Sequence, residues 1–368
     1  MKDQMRLKLL LRALEQSNES SRREVWSIRQ RDKLSSAWSL CIPGTETTLS
    51  PAEFAEVMAT FLCLPSPVCK GRVGEQLVGR KKVDAFGDEV VTASLPGGGH
   101  KWKHDDMKNK LAQLMRWAKM DVRVEVFGLF ARVIPQEGLS RIDRGRMRQG
   151  IVPDFMVTEN SGIYNATLAD LKFINGTAAR YPRKFGNMER FEKAVQKRAT
   201  LVDSEYKRHA IKLDVGLCNI TKAARGQLQE EGPVQKKLAD FGKVEGWCFG
   251  VWGEASDEVH SLLNNIVEAR IKVDDQSPGK QGGRMIKDLK SQLVGSVRRQ
   301  VSLTAVRANA RMLISRMESY VGQGASDAAK RRQFIVKAER MMVRERKAQA
   351  LSASQGRSIV RRGEIRID

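Results

Sequence analysis

Paired cysteines are missing from this chain. It has five, Cys41, Cys63, Cys69, Cys218 and Cys248, an odd and widely scattered set with no C-x-x-C spacing. That excludes a disulfide framework and points to reduced thiols. Long apolar runs are also missing. None approaches the roughly 18 residues a membrane span needs. Leu9-Leu10-Leu11 is too short for the core of a secretion signal. A soluble, intracellular protein is therefore expected. No internal repeat is present. Pro96-Gly97-Gly98-Gly99 lacks the G-x-x-x-x-G-K spacing of a phosphate loop and reads as a turn. Acidic residues are too few to balance the bases: 43 Asp and Glu face 65 Lys and Arg, leaving a net charge of +22. An excess of that size speaks to partners rather than fold, and polyphosphate is the usual partner.

What is present is enough for a core. Of 368 residues, 41% are hydrophobic, which accommodates two or three modest domains. Apolar spacing at Leu7, Leu10, Leu11 and Leu14 predicts a helix within residues 1–35. Ser50-Pro51-Ala52-Glu53 reads as a helix start, and Pro65 with Pro67 ends that helix. Residues 69–103 are rich in Gly and Lys and read as loop. Met107, Leu111, Leu114, Met115 and Ala118 predict an amphipathic helix over 104–119. Val122 to Phe127 alternates as a strand. A basic loop follows over 136–150. A long helix is expected over 187–212, a buried strand over 246–252, and a helix over 256–271. Residues 274–283 read as a linker. Beyond it, residues 276–368 hold 21 Lys and Arg against 7 Asp and Glu. That stretch is read as basic helix in contact with nucleic acid, or as a solvated tail.

Two apolar runs carry the chemistry. They are Ile151-Val152-Pro153-Asp154-Phe155-Met156-Val157 and Thr167-Leu168-Ala169-Asp170-Leu171-Lys172-Phe173-Ile174. Each reads as a strand holding charged residues, which is costly unless they are paired or bind a cation. Asp170 and Lys172 lie two apart and so share a face. Asp154 follows a proline on the strand before. This is the P-D…(D/E)-x-K pattern of metal-dependent nucleases. Asp154 and Asp170 are the candidate ligands of Mg²⁺ or Mn²⁺, and Lys172 the group that orients water or balances developing charge. Glu125 is a candidate further catalytic acid, or a solvent-facing strand residue. Asp105 and Asp106 are read as helix-start acids in preference to a remaining ligand, His104 as a helix-start residue in preference to ligation, and Tyr206 and Lys207 as surface positions on the long helix in preference to facing the metal site. Arg144, Arg146 and Arg148, with Arg141 beside them and Lys184 further on, are the candidate nucleic-acid contacts. A phosphate clamp and a solvated charge run fit the arginines equally.

Further motifs stand in a suggestive order: Leu49-Ser50-Pro51-Ala52-Glu53-Phe54, Leu62-Cys63-Leu64-Pro65, Asp84-Ala85-Phe86-Gly87-Asp88, Pro96-Gly97-Gly98-Gly99 and Lys103-His104-Asp105. From about residue 35 to 271 the chain resembles the region after the polymerase domain in reverse-transcriptase proteins of non-LTR retrotransposons with a restriction-like endonuclease. That family has a cysteine/histidine knuckle ahead of the P-D…D strands. Here Cys69 is kept, but Glu89 stands in place of the histidine and Ala93 in place of the last cysteine, so no zinc is predicted. The polymerase domain is not in this stretch.

The expected architecture is α/β: a PD-(D/E)xK core, meaning a small mixed sheet flanked by helices, with a helical N-terminal region and a basic helical tail. The divisions are 1–68, a degenerate knuckle-like 69–103, a nuclease-like 104–275, and 276–368. The expected function is metal-dependent cleavage of DNA by a retroelement-derived endonuclease. The alternative is a catalytically inactive nucleic-acid-binding protein of the same descent. No membrane partner is expected. The basic runs Lys330-Arg331-Arg332 and Arg361-Arg362 are compatible with a nuclear address.

Overall fold

Alternating side chains build a sheet from residues 121–173 in the computed structural model. The model describes residues 33–320 apart from 43, 45–46, 62–63, 78–79, 94, 96–98, 135–150, 159–165, 175–188, 218–230 and 276–282. The leucine pattern before residue 33, Arg141, Arg144, Arg146, Arg148, Lys184 and the basic runs after 320 lie outside the described residues. Strand β1 (Asp121–Val124) pairs antiparallel with β2 (Phe155–Thr158), and β2 pairs antiparallel with β3 (Ala166–Phe173). Strand β4 (Glu245–Phe249) lies parallel to β3, setting Leu171 beside Trp247. A parallel neighbour requires a crossover, and helices supply it. The result is a mixed α/β fold with a four-stranded mixed sheet in the order β1-β2-β3-β4 and seven α-helices among the described residues.

In chain order the helices are α1 (Pro51–Phe61), α2 (Asp88–Thr92), α3 (Gly99–Trp117), α4 (Glu189–Leu217), α5 (Pro233–Ala239), α6 (Asp257–Asp275) and α7 (Gly283–Ser319). None is long and apolar enough to cross a membrane. Helices α3 and α6 cover one face of the sheet. Met107, Leu111, Met115, Leu263 and Ile266 pack there against Phe155, Ala169, Leu171, Trp247 and Phe249. The spacing of those α3 residues follows the helical period that the sequence displays.

Helices α4 and α5 cover the other face, packing Val202, Tyr206, Ala210, Val234 and Leu238 against Met156 and Leu168. The α4 backbone comes very near β4. A Cβ at Gly246 would sit 2.5 Å from the Ala199 carbonyl oxygen, so only glycine fits there.

Three segments differ from the sequence reading. Strand β1 ends at Val124, because Glu125 takes a left-handed backbone with φ of 51°. Such a turn breaks the extended geometry the alternation implied. Residues 69–103 are not simply loop. They hold a bridge between Gln76 and Lys82, helix α2, and the first turn of α3. Asp84 caps α2 by accepting from the amides of Phe86 (2.8 Å) and Glu89 (2.6 Å). Cys69, Leu77, Val83, Val90 and Ala93 then form a small apolar cluster with Leu313 and Met317. The knuckle positions are thus absorbed into packing: burial pushes the Cys69 thiol up to about 11, and Glu89 pairs with Lys81 at 3.1 Å.

The third difference concerns the basic tail. Its described part, α7, runs through the molecule. Val297, Val301 and Ala305 join the core of the sheet. Leu303, Val306 and Ala310 pack on Trp38, Val57 and Phe61. A division at 276 therefore separates segments that share one core. Charge count hid this: most of α7 over 301–317 is buried, and one of its bases, Arg316, is itself buried against the carbonyls of Val90 and Ala93.

Candidate active site

Alternation along β3 divides its residues between the two faces. Ala169, Leu171 and Phe173 turn toward α3 and α6. Leu168, Asp170 and Lys172 turn toward α4, where Leu168 joins the α4 and α5 cluster and Asp170 and Lys172 line a groove against α4. Asp170 is only 6% exposed and makes an ion pair with Lys172. A buried carboxylate needs such a partner.

Asp154 arrives from the residue before β2. Its Oδ2 accepts the amide of Leu171 on β3 at 2.8 Å and bonds His104 Nε2 on α3 at 3.0 Å. Its carboxyl also hydrogen-bonds that of Asp170. Two acids sixteen residues apart in sequence therefore meet at one point, with Lys172 beside them.

Their protonation is divided. Burial pushes the Asp170 carboxyl well above the usual aspartate range; Lys172 opposes this, and the hydrogen bond and charge of Asp154 reinforce it. Burial acts on Asp154 too, but hydrogen bonds from His104, Asp170 and the Leu171 amide outweigh it and hold its pKa low. One proton between adjacent carboxyls is the expected outcome for like charges at this separation. Burial disfavours charge on His104, yet the Asp154 hydrogen bond and charge prevail and raise its pKa. Tyr206, on α4, places its hydroxyl on the Asp170 carboxyl and 3.4 Å from the Val152 carbonyl oxygen. Burial, then the two acids, push its pKa up.

Glu125 does not join the pair. Its amide bonds the Asp154 carbonyl at 3.0 Å, but its carboxylate is held by buried Lys108, which also takes Asp105 at 3.0 Å. Asp106 lies 3.9 Å from Arg311. Lys207 is exposed and pairs with Asp203. Of the sequence candidates, Asp154, Asp170 and Lys172 come together, and Glu125 is diverted. Sequence reasoning ranked His104 and Tyr206 below the bland readings of a helix start and a surface position, and the structure places both at the pair. His104 lies 50 residues from its partner, and a helix-to-strand contact leaves no periodic trace. Tyr206 was traceable through Val202 and Ala210, which share its buried face at i−4 and i+4.

The site opens into a groove of about 390 Å³ lined by Ile151, Val152, Asp170, Lys172, Glu205, Tyr206, Arg208, His209 and Lys212. Among the described residues no three His, Cys, Asp or Glu side chains gather as a metal cage. Two carboxylates nevertheless suit Mg²⁺, which keeps several waters and binds proteins through one or two acids. No family model, no curated protein and no solved structure matches the chain.

Proposed function

We propose that this protein is a metal-dependent endonuclease that hydrolyses phosphodiester bonds in DNA, built on a PD-(D/E)xK core of retroelement origin. The observation that carries the reading is the meeting of Asp154 and Asp170, within hydrogen-bond reach of each other, with Lys172 on Asp170. Three antiparallel strands, a helical crossover and a fourth strand parallel to the third support the fold assignment. The retroelement descent rests on the motif order around residues 49–105.

Asp154 and Asp170 would hold Mg²⁺ or Mn²⁺, which when bound supplies charge neutralisation at the scissile phosphate and water of lowered pKa. The Leu171 amide and His104 fix the orientation of Asp154. Asp170 must give up its proton to act as a ligand, so cation affinity rises with pH. Lys172, one-third exposed on the groove, faces the place where the phosphate's charge develops.

A second reading is a nucleic-acid-binding protein that no longer cuts. It is favoured by the diversion of Glu125 to Lys108, which leaves two acids where a third was expected.

The deciding experiment is nicking of supercoiled plasmid by the purified chain with Mg²⁺, with Mn²⁺ and with EDTA. Metal-dependent nicking that falls at least about 100-fold in Asp154→Ala and in Lys172→Ala is the expected result. DNA binding without nicking under either metal would sink the nuclease and leave the binding protein.

A further inference from the structure

Charged side chains on α4 fall into two groups. Arg198 makes two 2.9 Å bonds to Glu205, and Lys207 pairs with Asp203 at 2.7 Å. Arg208, His209 and Lys212 have no ion-pair partner among the described residues. All three are exposed, and all three line the groove that Asp170 and Lys172 also line. Together with Glu205 they occupy i, i+3, i+4 and i+7, a single stripe of the helix.

Arg208 and Lys212, without an ion-pair partner among the described residues, repel each other along one wall of the groove and concentrate anions. Among the described residues the acids lining it, Glu205 and Asp170, are already engaged by Arg198 and Lys172. The groove lining therefore combines exposed bases on α4 with Asp170, the carboxyl that hydrogen-bonds Asp154. Four residues of helix advance about 6 Å. That separates Arg208 from Lys212 by roughly one step between neighbouring phosphates on a stretched strand. Ile151, Val152 and the Tyr206 ring supply an apolar side on which the sugar and base can rest.

We propose that Arg208, His209 and Lys212 form a phosphate track for a DNA strand, gripping the backbone next to the phosphate presented to Asp170 and Lys172. The proposal rests on the nuclease reading for the identity of that end point, but the track is a binding site in its own right. It places the principal backbone contacts on α4. The sequence alone offered the basic loop around Arg144 instead.

The test is fluorescence anisotropy of a labelled DNA strand in EDTA, where no cutting interferes, at several salt concentrations. The full chain is compared with Arg208→Ala/Lys212→Ala. A matched control, Lys197→Ala/Lys207→Ala, removes equal charge from exposed α4 positions outside the groove. The track predicts an affinity loss of about 10-fold or more and a salt slope smaller by about 2 in the groove variant. The control pair changes little, and Arg208→Lys retains most of the affinity. Equal losses in both pairs, or no loss in either, overturn the track. A loss seen with an RNA strand of the same sequence but not with DNA overturns the DNA assignment. If the wild-type chain never nicks plasmid yet the groove variant alone loses DNA, the track stands and the nuclease reading fails. If the wild type nicks and the groove variant binds normally, the nuclease stands and the track fails.

Discussion

Strand β3 presents two different surfaces. Toward α3 and α6 it offers Ala169, Leu171 and Phe173, sealed against Trp247 and Phe249. Toward α4 it offers Leu168 and then Asp170 and Lys172, where packing gives way to a groove. Eight residues thus hold both the centre of the core and the chemistry, separated only by the direction of alternate side chains. One face is apolar and contributes stability. The other buries a carboxylate, which costs stability and forms the candidate site.

The largest effect expected from breaking this contrast is on the sealed face. Trp247→Ala removes a ring that lies 4.8 Å from Phe155 and is 1% exposed. It should lower unfolding free energy by about 3–5 kcal/mol in urea titration. A loss below about 1 kcal/mol would mean that this face is not the core.

The next effect has the opposite sign. A carboxyl whose pKa is raised by folding holds its proton more tightly when folded. Its contribution to stability is complete below the ordinary aspartate range and is lost as pH rises through the folded value. At pH 8 Asp170 is therefore a cost in the metal-free protein. Asp170→Asn should raise the unfolding free energy measured by urea titration at pH 8, by about 1–2 kcal/mol, and much less at pH 4. On the metal-site proposal, added Mg²⁺ should stabilise the wild type, and the same substitution should abolish that gain. An equal gain at both pH values would show that Asp170 is not the protonated partner.

The smallest effect sharpens the comparison away from the site. Buried Asp214 on α4 accepts the amides of Val234 (2.9 Å) and Gln235 (3.0 Å), closing the start of α5. Asp214→Ala should cost about 1 kcal/mol in thermal unfolding and leave any nicking activity unchanged. A loss of nicking without a loss of stability would extend the functional face along α4.

These contrasts were unequally visible in the sequence. Alternation at Asp170 and Lys172 was legible because a strand's period is two, and the partner acid was flagged by Pro153. The α3 stripe of Met107, Leu111 and Met115 was legible for the same kind of reason. The bond from His104 to Asp154 was not, since tertiary contacts between a helix and a strand have no period. The apolar cluster around Cys69 and Val90 was hidden because its members come from short turns, a five-residue helix and the distant α7 rather than one periodic segment. In α7 the marks at Leu293, Val297 and Val301 were visible, but the surrounding arginines and lysines spoke for solvent. Position in the fold, rather than composition, decided which signal prevailed.

Helix α7 has a consequence for how the molecule comes to exist. Its residues complete three apolar clusters, one of them beneath the sheet that carries the acids. During synthesis Asp154, Asp170 and Lys172 leave the ribosome well over a hundred residues before Val301 and Leu313 do. A nascent chain with its sheet already made still lacks the strut that closes its core. The core beneath the candidate site therefore closes only once α7 has been made, and a message broken before the codons of α7 yields a chain without a finished interior.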